Sequence, residues 1–384
     1  MVPLVMNGTI CKEWYHPFPL GEGGQGGLIC ILQSVIQSPY PLLQGGMDCA
    51  LPERELRSKH PILDSVFWLL DSKKSTSYLI NIGDIQMFTK GISYWSFEGG
   101  LDGSKPAIEA LDNAKETGFE SLELCLSETG DVSLETTEKG AKEIVQAAQD
   151  LEIEISSVAC GLFWGKSLTA TDTKVRAEAV EIGKKLLDVA AWLEVDAVLV
   201  VPGSVDVFFD AGSEVIDFGE AYKRASDSIA ILEPYAKANK VAIGVENVWN
   251  KFLTGPAEMA MFIDQFKSEW VGSYFDVGNC LLYGYPEHWI KYLGSRIKRV
   301  HFKDFRRAVG TGAGFVDLLS GDVNWPAVVA ALEEVDYNGY VTAEMIPLYN
   351  HYPEVLVYNT SLAMDAILSS CKDAGCCCCG CEDE

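Results

Sequence analysis

Within residues 242–304 the chain reads AIGVEN (242–247), PAEMAMFIDQF (256–266), VGSYFD (271–276), EHWIKYL (287–293) and IKRVHFKD (297–304). Short, nearly continuous apolar runs that end in a polar residue alternate here with stretches of helical period. A continuous apolar run fits a strand covered on both faces, the condition of a parallel sheet. The alternation therefore predicts parallel βαβ units.

The same rhythm continues in both directions. Strands are predicted over Lys90–Ser96, Ser121–Cys125, Glu154–Ala159, Ala197–Val201, Ala242–Glu246, Val271–Asp276, Ile297–Phe302 and Tyr340–Glu344. Amphipathic helices are predicted over Lys105–Thr117, Glu138–Leu151, Thr173–Leu193, Phe218–Asn239, Pro256–Phe266, Glu287–Leu293, Trp325–Val335 and Glu354–Leu368. Eight units fit the ~250 residues typical of a closed (β/α)8 TIM barrel. A doubly wound open sheet would carry a Gly-rich phosphate turn after an early strand. The Gly21–Gly27 cluster is not followed by a clear helix and is not read as one. The fold class expected is α/β, a TIM barrel.

The barrel accounts for residues 87–369. Residues 1–86 have scattered Gly and Pro and no sustained period, and read as an irregular extension, with Met87 as the expected natural start. A genuine small N-terminal subdomain is the alternative. Residues 370–384 are read as a disordered, Cys-rich tail. Five of the twelve cysteines fall in the last nine residues, and the others are too irregularly spaced for a disulfide framework. Reduced thiols and a cytoplasmic location are expected.

Charge and hydropathy narrow the partners. Thirty Lys and Arg against 55 Asp and Glu give a formal net charge of −25, which argues against a nucleic-acid or anionic-membrane surface. No apolar run reaches the ~18 residues of a membrane span. A small-molecule substrate is the expected partner, and a homo-oligomer is compatible with the sequence.

In a TIM barrel, catalytic groups project from the C-terminal ends of the strands. The last four predicted strands each end with one metal-ligating side chain: Glu246, Asp276, His301 and Glu344, separated by 30, 25 and 43 residues. Any one alone reads as an ordinary loop cap or satisfied histidine; four in succession read as convergence on one rim. Three carboxylates and an imidazole suit Mn²⁺, Mg²⁺ or Co²⁺ better than a structural zinc. Mn²⁺ is the expected ion, with Zn²⁺ also compatible. Lys303, Arg306 and Lys251 lie on the same rim and could hold a phosphate, or serve as solvated surface charges. Trp95, Phe163, Trp164 and Trp249 follow strands there and could wall a sugar face, Trp164 being the best lid candidate.

These residues carry a resemblance to the sugar phosphate isomerase/epimerase superfamily with a xylose-isomerase-like barrel. Its most specific stretches are Gly244–Trp249, Phe275–Asn279, His301–Asp304, Gly321–Trp325 and Thr342–Glu344. Within it the chain looks closest to hexulose-6-phosphate isomerases, L-ribulose-5-phosphate 3-epimerases and ketose 3-epimerases. The resemblance implies that Glu246, Asp276, His301 and Glu344 bind the metal, and that Glu246 and Glu344 double as acid/base groups on opposite faces of the substrate. It implies substrate contact for Arg307. Asn279 stands where ketose 3-epimerases usually carry a substrate-contacting histidine, a departure from free-ketose epimerisation.

The function expected is a divalent-metal-dependent isomerase or epimerase of a small sugar or sugar phosphate, working by proton transfer through an enediolate. An inosose-type dehydratase, which also begins by enolisation, and a non-catalytic sugar-binding module are the alternatives. A multi-zinc phosphodiesterase of the apurinic endonuclease type is disfavoured, because of His16, His60, His288, His301 and His351 only His301 sits at a strand end.

Overall fold

The eight predicted strands close on themselves. The computed structural model of the protein describes residues 88–373, so the expectations for residues 1–86 and for the cysteine cluster at 376–381 lie outside the described residues. The barrel strands are Thr89–Ser93, Ser121–Leu126, Glu154–Cys160, Ala197–Val200, Ala242–Glu246, Val271–Asp276, Ile297–Phe302 and Tyr340–Ala343, each pairing in parallel with its neighbour, and the first with the eighth. Helices follow the strands and cover the outside. Their apolar stripes, such as Ala141, Ile144, Val145 and Ala148 of helix Glu138–Asp150, are buried while the intervening charged residues face water.

Most boundaries fall within two residues of expectation, and two depart further. The first strand ends at Ser93, not Ser96, because Tyr94–Ser96 turns into a 3-10 helix whose Trp95 N–H donates to Ser93 Oγ at 3.4 Å. Ser96 Oγ then accepts the Met345 N–H at 2.9 Å, which ties this turn to the loop after the eighth strand. The last helix, Pro353–Asp373, runs past the expected boundary at Ser369.

The long gap between His301 and Glu344 contains a feature the sequence reading lacked, an antiparallel ribbon of Asp304–Phe305 with Phe315–Val316. The buried Asp304 carboxylate organises it, accepting the backbone N–H groups of Phe305, Leu319, Gly321 and Val323 and the Trp325 indole N–H at 2.8–3.2 Å. Gly321 is required by this cradle, since a Cβ there would lie 2.0 Å from Asp304 Oδ1. Asn324 next caps helix Trp325–Glu334 through the Ala327 N–H. Asp304 and Gly321–Trp325 are thus one structural unit that sets the rim beside the seventh strand.

Inside the barrel, Gly244 makes room for the Tyr274 ring: a Cβ would sit 3.0 Å from Tyr274 Cβ and 3.0 Å from the Val198 carbonyl oxygen. Tyr274 in turn packs its ring edge-on to His301, centroids 4.6 Å apart. Gly244→Ala is expected to destabilise the protein by about 1–3 kcal/mol through overpacking, read as a lowered midpoint in thermal unfolding.

Candidate metal and active site

Glu246 and Asp276 close the fifth and sixth strands, His301 is the penultimate residue of the seventh, and Glu344 lies one residue beyond the eighth. The Glu344 N–H still donates to Phe302 O at 3.1 Å, which holds the side chain at the barrel mouth. The structure brings all four together: they are buried, and one ligand atom from each lies within 4.8 Å of the others. His301 Nδ1 is 3.6 Å from Glu246 Oε1, 3.6 Å from Glu344 Oε2 and 4.0 Å from Asp276 Oδ2.

Their backbone frame is fixed by two asparagines. The Asn247 side chain accepts the Asp276 N–H and donates to the Asp276 carbonyl, both at 2.8 Å, locking the fifth strand end to the sixth. The Asn279 N–H donates to Asp276 Oδ1 at 2.7 Å, so one carboxylate oxygen is held and Oδ2 is turned toward the cluster.

Glu123, at the third position of the second strand, was missed by the sequence reading. It is fully buried inside the barrel, with His301 Nε2 at 3.0 and 3.1 Å from its two oxygens. Ser157 donates to it at 3.1 Å and the Tyr274 hydroxyl donates to it as well. A carboxylate acceptor at Nε2 keeps the ring proton there and leaves the Nδ1 lone pair facing the cluster, the tautomer a metal ligand needs. Glu123→Gln removes the charge and offers an amide that can donate in place of accepting. It is expected to weaken Mn²⁺ affinity about 10–100-fold, measured by titration calorimetry.

Asp276 Oδ2 and His301 Nδ1 are buried without a hydrogen bond. Four buried carboxylates (Glu123, Glu246, Asp276, Glu344) face one imidazole and one ammonium, Lys303, which leaves net negative charge away from water. Such an arrangement is costly unless a cation enters. Converging orphan atoms and a hard oxygen-rich donor set fit a divalent cation.

The ionisation of these groups shows the same imbalance. Burial pushes the Glu246 carboxyl up to about 7, with the Glu344 and Asp276 charges adding to it against the pull of the neighbouring His301. Burial likewise raises Asp276, against the pull of Lys303. Burial alone would lower His301, but Glu123, Glu246 and Glu344 outweigh it and raise it well above its usual value.

Each rim cation has a partner. Lys303, offered as a phosphate holder or a solvated charge, is turned inward, pairing with Glu344 and lying 3.4 Å from Asp276 Oδ2. Burial opposes its charge, but Asp276, Glu344 and Glu246 outweigh this and raise its pKa. Lys251 pairs with Asp206. Arg306 Nε donates to Ser320 O at 2.8 Å. Arg307 is about half exposed with Nε 3.9 Å from Asp322 Oδ2, and its backbone N–H also donates to Asp322, at 2.8 Å.

A cavity of about 470 Å³ opens beside the cluster, lined by Glu344, Trp95, Trp164, Ser127, Asp102 and Glu128 among others. Trp249 follows the fifth strand, its indole N–H donating to the Asn279 carbonyl at 2.8 Å. Phe208 and Phe209 complete the wall: Phe209 packs on Trp164 at 5.0 Å, Phe208 on Trp249 at 5.3 Å, and Trp249 on Phe305 and Phe315 at 5.1 and 5.0 Å. Phe208 and Phe209 also escaped the sequence reading. An aromatic pair between Gly203 and Gly212, in the loop after the fourth strand, was the available signal.

Known proteins share this frame. A family model described as a xylose isomerase-like TIM barrel matches residues 111–363. The chain is 22% identical over 262 residues to the L-ribulose-5-phosphate 3-epimerase of Escherichia coli O1:K1, covering 67% of this chain and 89% of that one. It is 24% identical over 242 residues to an uncharacterized protein of Methanocaldococcus jannaschii, covering 61% and 78%. Among solved structures, D-psicose 3-epimerase from Clostridium cellulolyticum H10, crystallised with D-tagatose, superposes with a TM-score of 0.61 at 18% identity, covering 73% of this chain and 98% of that one. No helix among the described residues is long and apolar enough to cross a membrane. From the matched span and the closed eight-stranded barrel, the chain belongs to the xylose isomerase-like TIM barrel family.

Proposed function

We propose that this protein is a divalent-metal-dependent isomerase or epimerase of a small ketose or ketose phosphate, working by proton transfer through an enediolate. One observation carries the reading. Two glutamates from the fifth and eighth strands, Glu246 and Glu344, reach the same buried cluster and each lies 3.6 Å from His301 Nδ1. Glu246, Asp276, His301 and Glu344 would hold the cation. When bound, it polarises the substrate carbonyl and offsets charge developing on its oxygen.

The remaining work falls to the chain. One glutamate removes the proton from the carbon next to the carbonyl, and the other delivers a proton to the opposite face of the planar intermediate. That exchange inverts a stereocentre; delivery to the neighbouring carbon interconverts ketose and aldose. Trp95 and Trp164 border the cavity and exclude water from the intermediate. The curated relative from Escherichia coli is named as a 3-epimerase, which favours this class over dehydration.

The test is a turnover assay with Mn²⁺ against a panel of ketoses, ketose phosphates and an inosose. Interconversion of a ketose or its phosphate supports the reading. Water loss from the inosose alone, or no turnover of any member, counts against it.

A further inference from the structure

We infer that the substrate is an uncharged sugar, not a sugar phosphate; this rests on the proposed site and narrows what it accepts. The cavity beside the cluster runs from Glu344 out to Asp102 and Glu128, on the loops after the first and second strands. Among the described residues, its lining contains these three carboxylates and no Lys, Arg or His. A ketose reacting near Glu344 extends its far end, where a phosphate ester would sit, toward Asp102 and Glu128. A phosphate dianion there meets like charge with no counter-ion.

The cations that could have relieved it are engaged elsewhere. Lys303 is held between Glu344 and Asp276, Lys251 by Asp206, Arg306 by the Ser320 carbonyl, and Arg307 lies beside Asp322. Lys166, on the neighbouring surface past Glu128, is paired with Glu178 at 2.6 Å. A phosphate site would instead show donors converging on an open point, such as a helix N-terminus or an arginine fork.

The same lining suits hydroxyl groups. Asp102 and Glu128 accept O–H hydrogen bonds, Ser127 can donate or accept, and the indole rings of Trp95 and Trp164 offer apolar faces to the C–H side of a sugar. Acceptors at the far end of the cavity and ring faces along its side describe a polyhydroxylated, neutral ligand.

The test uses matched pairs, D-fructose with D-fructose 6-phosphate and D-ribulose with D-ribulose 5-phosphate. For each, both kcat/KM with Mn²⁺ and binding by calorimetry are measured on the full chain. The free sugar is expected to be favoured at least about tenfold, because juxtaposed like charges disfavour the phosphate. The Asp102→Asn/Glu128→Gln double variant keeps the side-chain size at these two exposed positions and removes both charges; it is expected to shrink that preference several-fold, by raising kcat/KM for the phosphorylated member relative to the free sugar, and an unchanged preference overturns the inference. Preference for the phosphorylated member in both pairs overturns the inference and leaves the epimerase reading standing. Preference for the free sugar in binding without turnover supports the inference and sinks the epimerase reading. Binding of neither member of either pair overturns both.

Discussion

Replacing either Glu246 or Glu344 by Gln is expected to lower turnover at least ~10²-fold, and toward ~10⁴-fold where proton transfer limits the rate, the usual contribution of general acid–base catalysis. The substitution keeps side-chain size in a buried site and removes the base. Both residues also face the proposed cation, so the measurement has two parts. Mn²⁺ titration gives the loss of affinity, and turnover at saturating Mn²⁺ gives the loss that remains. The account expects the second loss to persist. If saturating Mn²⁺ restores full rate to both variants, the glutamates serve only as ligands and the base lies elsewhere. The two substitutions together are expected to cost about as much as the worse single one, because the pair acts in one proton relay.

Metal removal is the second large effect. Dialysis against a chelator is expected to bring activity below detection, and Mn²⁺ to restore it, with Mg²⁺ or Co²⁺ as partial substitutes. The pH dependence has a definite sign. Cation binding must displace protons from Glu246, raised to about 7 chiefly by burial, and from His301, raised well above its usual value. Affinity should therefore climb from pH 5.5 to pH 8, by about tenfold per pH unit for each proton displaced. Stability of the metal-free protein runs the opposite way. A raised folded-state pKa makes the Glu246 contribution complete below its unfolded value and lost as pH rises through about 7. The rise in thermal midpoint on adding Mn²⁺ should thus be larger at pH 8 than at pH 5.5. An equal rise at both would mean that no proton is displaced.

What could be read in advance follows from what each signal depends on. The barrel was legible because every strand is covered on both faces, so runs such as AVLV (197–200) and VGSYFD (271–276) stand out against amphipathic helices. The four strand-end residues were legible for a related reason: a polar residue that ends an apolar run marks where the chain leaves the core for the rim. Glu123 gives no such mark. In SLELCL (121–126) it looks like the polar member of an alternating strand, and nothing local says that its side points into a closed barrel. Its partner His301 is 178 residues away, a pairing that only closure of the barrel creates.

Lys303 shows what spacing does not convey. Two residues after His301 it shares that side of the strand, so it turns into the carboxylate cluster instead of standing free for a phosphate. Arg307 lies farther on, beyond the ribbon strand Asp304–Phe305, and the path of this loop takes it to Asp322. Asp304 entered the sequence reading only as the end of the His301–Asp304 stretch, but it holds five N–H groups and builds the rim itself. Spacing can count residues to a strand end; it cannot say which charges meet there.

The central claim is that a carbon-bound proton passes through Glu246 and Glu344, and isotope exchange tests it most directly. The ketose with the highest turnover is converted in deuterated water with saturating Mn²⁺, and the product is examined by NMR and mass spectrometry. The account predicts solvent deuterium at the carbon next to the carbonyl, at a rate that falls with turnover in the Glu246→Gln and Glu344→Gln variants. A substrate carrying deuterium at that carbon should lose it to light water. Migration of that deuterium intact to the neighbouring carbon, with none taken from solvent, would establish a hydride shift and contradict the account.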